Sequence, residues 1–282
     1  MNDSLLSDLE LARLQHPSQS DGALVRRLAR QTICDLTLVA PVDPRLVASY
    51  RGISRIEEVD QPWAGCLTHD GGETVARVRA SDNRHRKRFS ALHEVKHTYL
   101  PGFAVTQYRC DPTPGSPAKA GEHSLETLAD IGASELLFPR DEFEADLSGN
   151  RLDFDLVESL SSHYEASLGA TALRVVSLAR SDAVLICAEP GTKPSQPTAE
   201  PTLRIGWSSS KGAWPFIPRF KSVPNGSPLY RALEGELVDE ITDLVGFTSV
   251  PIENVCVSCR LYPYYDHEGE HRLRVLCLAT RL

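Results

Sequence analysis

A general basic excess is absent from this chain. Its 282 residues carry a net charge of −8, the opposite of what a general nucleic-acid binder usually shows. That balance argues against such a class while leaving room for a local basic surface. No run of eighteen apolar residues occurs, so no membrane-spanning helix is expected. Met1-Asn2-Asp3-Ser4 lacks a basic region followed by an apolar core, so no secretory signal is expected. Seven cysteines, an odd and scattered set, suit a reducing cytoplasm better than a disulfide framework. No internal repeat is visible. What is present, 41% hydrophobic and 24% charged residues, is a globular balance, long enough for one large or two modest domains.

Periodicity organises the chain. Residues 5 to 36 read as helical, interrupted at His16-Pro17. Asp43 is placed to cap a short helix with Pro44 at its first position, running through Tyr50. Ile53 to Val59, Trp63 to Thr68 and Thr74 to Arg79 read as strands, with Asp70-Gly71-Gly72 as a turn. The basic run Arg84 to Arg88 follows a break at Ser81-Asp82-Asn83. Phe89 to Thr98 is then expected to be a helix with Ser90 near its cap, and Glu122 to Leu137 a second helix closed by Pro139. A long Pro- and Gly-rich loop joins these two, an unusual length unless it serves a site.

The chemistry is concentrated in His93-Glu94-Val95-Lys96-His97. Two imidazoles four residues apart lie on one helix face and can grip one metal ion. The intervening Glu94 can act as the base toward a metal-activated water, the minimal equipment of a zinc peptidase. Catalytic zinc takes three protein ligands. Glu126, on the next helix, is the candidate third ligand, and Asp130 one turn on can fix the tautomer of a ligating histidine. The alternative for Glu122, Glu126 and Asp130 is a solvated acidic stripe. His85 reads as a solvated residue of the basic run. His123, three residues before Glu126, is a further candidate near the metal, and Tyr99 or Tyr108 could donate to an oxyanion.

Arg88-Phe89-Ser90-Ala91-Leu92-His93-Glu94-Val95-Lys96-His97, followed by Glu126-Thr127-Leu128-Ala129-Asp130 and Gly132 to Pro139, resembles the ImmA/IrrE family. These are bacterial and phage metallopeptidases that include phage-repressor antagonists and the Deinococcus radiation-response regulator. The likeness covers about residues 40 to 180, Pro41-Val42-Asp43-Pro44 resembling the family's opening. It implies a zincin-like metallopeptidase in which His93, His97 and Glu126 hold Zn2+, or Mn2+ in its place, and Glu94 is the catalytic carboxylate. It implies a protein substrate, a helix-turn-helix repressor whose cleavage derepresses genes. Two positions depart from the family. Its Gly before the second histidine is Lys96 here, a long cation that must find solvent or a carboxylate. Its Phe beyond the Asn position is Gly132, which removes packing beside the ligand helix and is expected to loosen it.

Phe154 to Ala179 has the rhythm of a helix-turn-helix with a break near Gly169. Its second helix offers mainly Arg174 to any base edge, so packing or substrate positioning is the reading preferred over DNA contact. Residues 182 to 188, 203 to 207, 255 to 261 and 273 to 279 read as strands, and one helix fits Pro228 to Leu244. Cys256-Val257-Ser258-Cys259 lies in a strand-like run and reads as buried packing, and Asp266 to His271 as a hairpin turn. Trp207, Trp214 and Phe216 could line a pocket or fill a core. The expected organisation is α+β: a zincin-like domain over 1–150, a helix-turn-helix-like segment over 151–180, and a domain over 181–282. By order and size the last resembles the GAF-like sensor domain of the Deinococcus regulator, with a small-molecule effector as its implied partner. The competing function is a non-proteolytic transcriptional regulator that binds DNA or a repressor.

Overall fold

A computed structural model describes residues 6–103, 108–110, 122–249, 251–265 and 270–281. The chain divides into two compact units, residues 1–145 with 162–167, and residues 146–161 with 168–282.

In the first unit, α1 (Asp8–Gln15) opens on a reciprocal cap. The Ser7 hydroxyl accepts from the Glu10 amide and the Glu10 carboxylate accepts from the Ser7 amide. After the His16-Pro17 break, α2 (Asp21–Asp35) starts on Ser20. The short helix α3 (Pro44–Tyr50) is capped by Asp43, whose Oδ1 accepts from the Arg45 amide at 2.9 Å. Next come β1 (Ile53–Val59), β2 (Gly65–Asp70) and β3 (Glu73–Arg79). They form a four-stranded sheet in the order β1-β3-β2-β4 with β4 (Tyr108–Cys110), β1 running parallel to β3 and the other pairs antiparallel.

The first metal-motif helix, α4, spans Arg84–His97 and begins five residues before the expected Phe89. Asn83 caps it, accepting from the Arg86 amide at 3.0 Å, so Ser90 lies inside the helix and not at its start. The basic run therefore forms the first turns. Four cations at a helix N-terminus oppose the macrodipole, and acceptors from elsewhere in the chain offset this: Lys87 pairs with Glu58, and Arg88 with Glu165 and the Val42 carbonyl. Helix α5 (Glu122–Leu137) packs against α4 and α2. Leu9, Ala12, Leu24, Val25, Leu100, Leu128 and Ala129 join α1, α2 and α5 into one core. Helix α6 (Arg140–Leu147) follows Pro139. Phe138, Phe143 and Tyr164 stack with ring centroids 5.0–5.7 Å apart.

In the second unit, a five-stranded antiparallel sheet has the order β6-β5-β9-β8-β7. Its strands are β5 (Ala183–Gly191), β6 (Thr202–Lys211), β7 (Val238–Leu244), β8 (Ile252–Tyr265) and β9 (His271–Arg281). Both faces are covered. Helix α9 (Pro228–Leu233) packs with Trp214 and Phe247 on the face of Val255, Val257 and Cys259. The helix pair α7 (Phe154–His163) and α8 (Leu168–Leu178) belongs to the other face. There the Ser258 hydroxyl accepts from the Phe154 amide at 3.0 Å, and Arg260 pairs with Asp155 and Asp239.

The helix expected over Pro228–Leu244 stops at Leu233. Gly235 takes φ +96°, a conformation a helix cannot continue through. Beyond it Val238 and Leu244 point inward at strand period. The break in the helical pair falls at residues 164–167, immediately before the turn that carries Gly169. Trp214 is core, whereas Phe216 is exposed. Tyr265 pairs with His271 across the expected hairpin, whose turn, 266–269, lies outside the described residues. The molecule is thus mixed α+β, and among the described residues no helix is long and apolar enough to cross a membrane.

Candidate metal centre

The C-terminal half of α4 is buried on every side, from Ser90 to His97. About two helical turns that bury His, Glu, Lys and His together require compensation for each polar group. The two imidazoles meet Glu126 of α5. His93 Nε2 lies 3.0 Å from Glu126 Oε2, His97 Nε2 lies 3.4 Å from Glu126 Oε1, and the two Nε2 atoms are 3.1 Å apart. One ligand atom from each of the three residues falls within 4.8 Å of the others.

Asp130 occupies the far side of His93, its Oδ1 2.9 Å from Nδ1. Carboxylates only accept, so both ring nitrogens of His93 face acceptors, Asp130 at Nδ1 and Glu126 at Nε2; a proton kept on Nδ1 by Asp130 would leave the Nε2 lone pair for a cation. Burial, and then the neighbouring His93 charge, hold His97 well below the ordinary imidazole range, so it too offers a lone pair at neutral pH. Two imidazoles and a carboxylate converging in this space form the His2Glu donor set that suits a divalent cation, whose binding would displace any proton from the ligating nitrogens. The group could hold a metal ion, and its donors do not distinguish Zn2+ from Mn2+.

Glu94 lies beside this set. It is fully buried, and among the described residues neither carboxylate oxygen has a hydrogen-bond partner. Burial raises its carboxyl to about 8, with the His93 charge opposing and the Glu126 charge reinforcing the shift. Its place depends on Gly65 in β2: a Cβ there would stand 2.4 Å from Glu94 Oε1. Sequence reasoning passed over Gly65, although a lone glycine inside a strand is a signal of close approach.

The two departures from the family pattern prove to be one feature. Lys96 reaches neither solvent nor a carboxylate. It is fully buried, with Nζ 3.4 Å from the Tyr99 ring centroid and Arg51 Cζ 3.8 Å from the same ring. Its stem fills the space over Gly132, where a Cβ would lie 2.3 Å from Lys96 Cε and 2.9 Å from Val25 Cγ1. The lysine takes volume that a larger residue at 132 would need, so the ligand helix is not loosened there. Tyr99 is unsuited to an oxyanion role, because its hydroxyl is 2.5 Å from Thr32 Oγ1 on α2. The side chains of Tyr108 and His123 lie outside the described residues. His85 is not part of the metal-ligating group.

Elsewhere the chemistry thins out. Cys256 and Cys259 sit three apart on a strand and so face opposite sides of the sheet. Cys259 is buried, and in register with Cys277. Arg174, the one long polar side chain noted on α8, is also buried.

No family model matches the sequence, and no curated protein matches it. Among solved structures, a chain described as a Mycobacterium tuberculosis transcriptional regulator superposes with a TM-score of 0.60. It is 13% identical, over 98% of this chain and 82% of its own. At that identity the likeness is one of fold.

Proposed function

We propose that this chain is a metal-dependent endopeptidase of the ImmA/IrrE type, acting on a protein that controls transcription. One observation carries the reading: the fully buried, unpartnered Glu94 beside the convergent His93, His97 and Glu126. A divalent cation, when bound, would polarise the scissile carbonyl and acidify the attacking water. His93 and His97 would supply the nitrogen ligands, and Asp130, accepting from Nδ1, would hold His93 in the tautomer that ligates through Nε2. Glu94 takes a proton from the water and returns it to the departing amine, which leaves poorly unless protonated. Burial alone keeps this carboxyl protonated at neutral pH; the positive charge of a bound cation would lower it into the range of a base. The helix-turn-helix repressor as substrate, the zincin-like and GAF-like assignments and a small-molecule effector of the second unit rest on family resemblance.

A second reading has its own support. The structural neighbour is called a transcriptional regulator, and this favours a regulator that retains the metal fold and binds DNA or a repressor without cutting it. The comparisons lend weight to this second reading and none to the peptidase. One experiment separates them. The purified protein is mixed with a candidate repressor, such as a helix-turn-helix protein encoded beside it, with and without Zn2+ or Mn2+. Discrete fragments that vanish in Glu94→Gln are expected of the peptidase. Equal derepression by wild type and E94Q in cells, with no fragments, leaves the regulator.

A further inference from the structure

The chain's net charge is −8, yet α2 presents a concentrated basic face. A groove of ≈ 610 Å³ is lined by Gln19, Arg26, Arg27, Arg30 and Gln31, with Arg140 from the start of α6. Arg26, Arg27 and Arg30 recur at helical spacing and fall within about 6 Å along the α2 axis. Among the described residues no carboxylate pairs with Arg26 or Arg27. The acids nearest in sequence are engaged otherwise: Asp21 by Arg13 at 2.8 Å, and Asp35 by Gln31 at 2.6 Å and Tyr50 at 2.8 Å.

The other two guanidiniums are paired, Arg30 with a buried carboxylate and Arg140 with a half-exposed one. Arg30 Nε donates to Glu135 Oε1 at 2.6 Å, and the Glu135 side chain is 1% exposed. Arg140 Nε donates to Glu144 Oε1 at 2.7 Å. Both ion pairs engage Nε and leave terminal Nη groups for a ligand. A buried carboxylate is costly unless it is paired, and here it orients an arginine at the wall of an open groove.

We propose that this groove binds a phosphate-rich small anion of nucleotide size, with Arg26, Arg27, Arg30 and Arg140 as its contacts. Guanidinium forks match phosphate oxygens two at a time, and four of them exceed what one carboxylate would need. The volume lies in the range of small-ligand sites. A duplex contact draws on about 6 to 10 phosphates, more than a cluster about 6 Å long reaches, and the acidic remainder of the chain repels an extended polyanion. Gln19 and Gln31 add hydrogen-bonding groups at the rim. The proposal does not depend on the metal centre.

The test is calorimetric titration of the full chain with inorganic pyrophosphate at low salt without added metal, alongside a 20-base-pair duplex followed by fluorescence anisotropy. One pyrophosphate per chain is expected. Arg26→Ala and Arg27→Ala should each weaken it about tenfold. Arg30→Lys, which keeps a cation beside Glu135 but loses the fork, should weaken it while the circular dichroism stays native. Three results would overturn the proposal: no saturable binding up to about 1 mM, a doubly substituted R26A/R27A chain that binds as tightly as wild type, or duplex binding that is tighter than pyrophosphate and lost with the same arginines.

Discussion

Glu94 in the first unit and Arg260 in the second are both buried ionisable residues on interior elements, and they differ in what surrounds them. Arg260 donates to the Val238 and Cys259 carbonyls and pairs with Asp239 and Asp155. It joins β8, β7 and α7, and its environment accounts for it. Among the described residues neither oxygen of Glu94 has a partner, and ligand atoms of His93, His97 and Glu126 converge beside it. A satisfied buried charge is architecture. A buried carboxyl left unsatisfied next to converging ligands marks a place where something else binds.

The largest effect that would break this contrast is on metal content. His97→Ala should lower bound metal well below one ion per chain, whereas Glu94→Gln should leave it near wild type. Metal analysis of the purified variants decides it, and full occupancy in H97A would sink the ligand assignment.

Glu94 also makes a pH prediction for metal-stripped protein. Its folded carboxyl titrates near 8 because of burial, against about 4.3 in an unfolded chain. The folded state therefore holds a proton that the unfolded state loses, and stability falls as pH rises from about 5 to about 8. The expected loss is on the order of a few kcal/mol, measured by urea melts across that window. E94Q should flatten it, and an equal slope in wild type and E94Q would refute the assignment.

Arg260→Met should cost about 2 kcal/mol through lost charged hydrogen bonds and leave metal content untouched. A loss of metal in that variant would show that the two regions are not separable. Asp130→Ala should weaken metal affinity by roughly 10- to 100-fold without abolishing the site, as metal-competition titration would show. Complete loss at saturating metal in a folded variant would make Asp130 a ligand. The smallest effect belongs to Lys96→Met. It keeps the volume over Gly132 and removes an amine that burial holds well below its usual range, so stability should be unchanged or raised by about 1 kcal/mol. Thermal melts that show a large loss would give the ammonium a role the packing does not reveal.

Much of the architecture was legible because its signals are local. The Asp43-Pro44 cap, the strand at Ile53–Val59 and the helix Glu122–Leu137 each follow from a few adjacent residues. Errors arose where a distant or backbone feature decided. The basic first turns of α4 lack an amphipathic rhythm, and remote acceptors hold them. The helix past Leu233 was cut by the conformation of Gly235. A sequence likeness suggested that Lys96 and Gly132 were two independent departures, while the α4–α5 packing makes them one exchange of volume.

The spacing of His93, Glu94 and His97 by itself determined that two imidazoles share a helix face, because 3.6 residues per turn leaves no other arrangement once the helix forms. Glu126 and Asp130 shared a face for the same reason. Only the tertiary structure decided that these two faces oppose each other, and that Glu94 is stripped of partners against Gly65. It also decided that Tyr99 is claimed by Thr32. Helix periodicity acts within one segment, whereas distance, burial and the pairing of charges depend on which segments pack together.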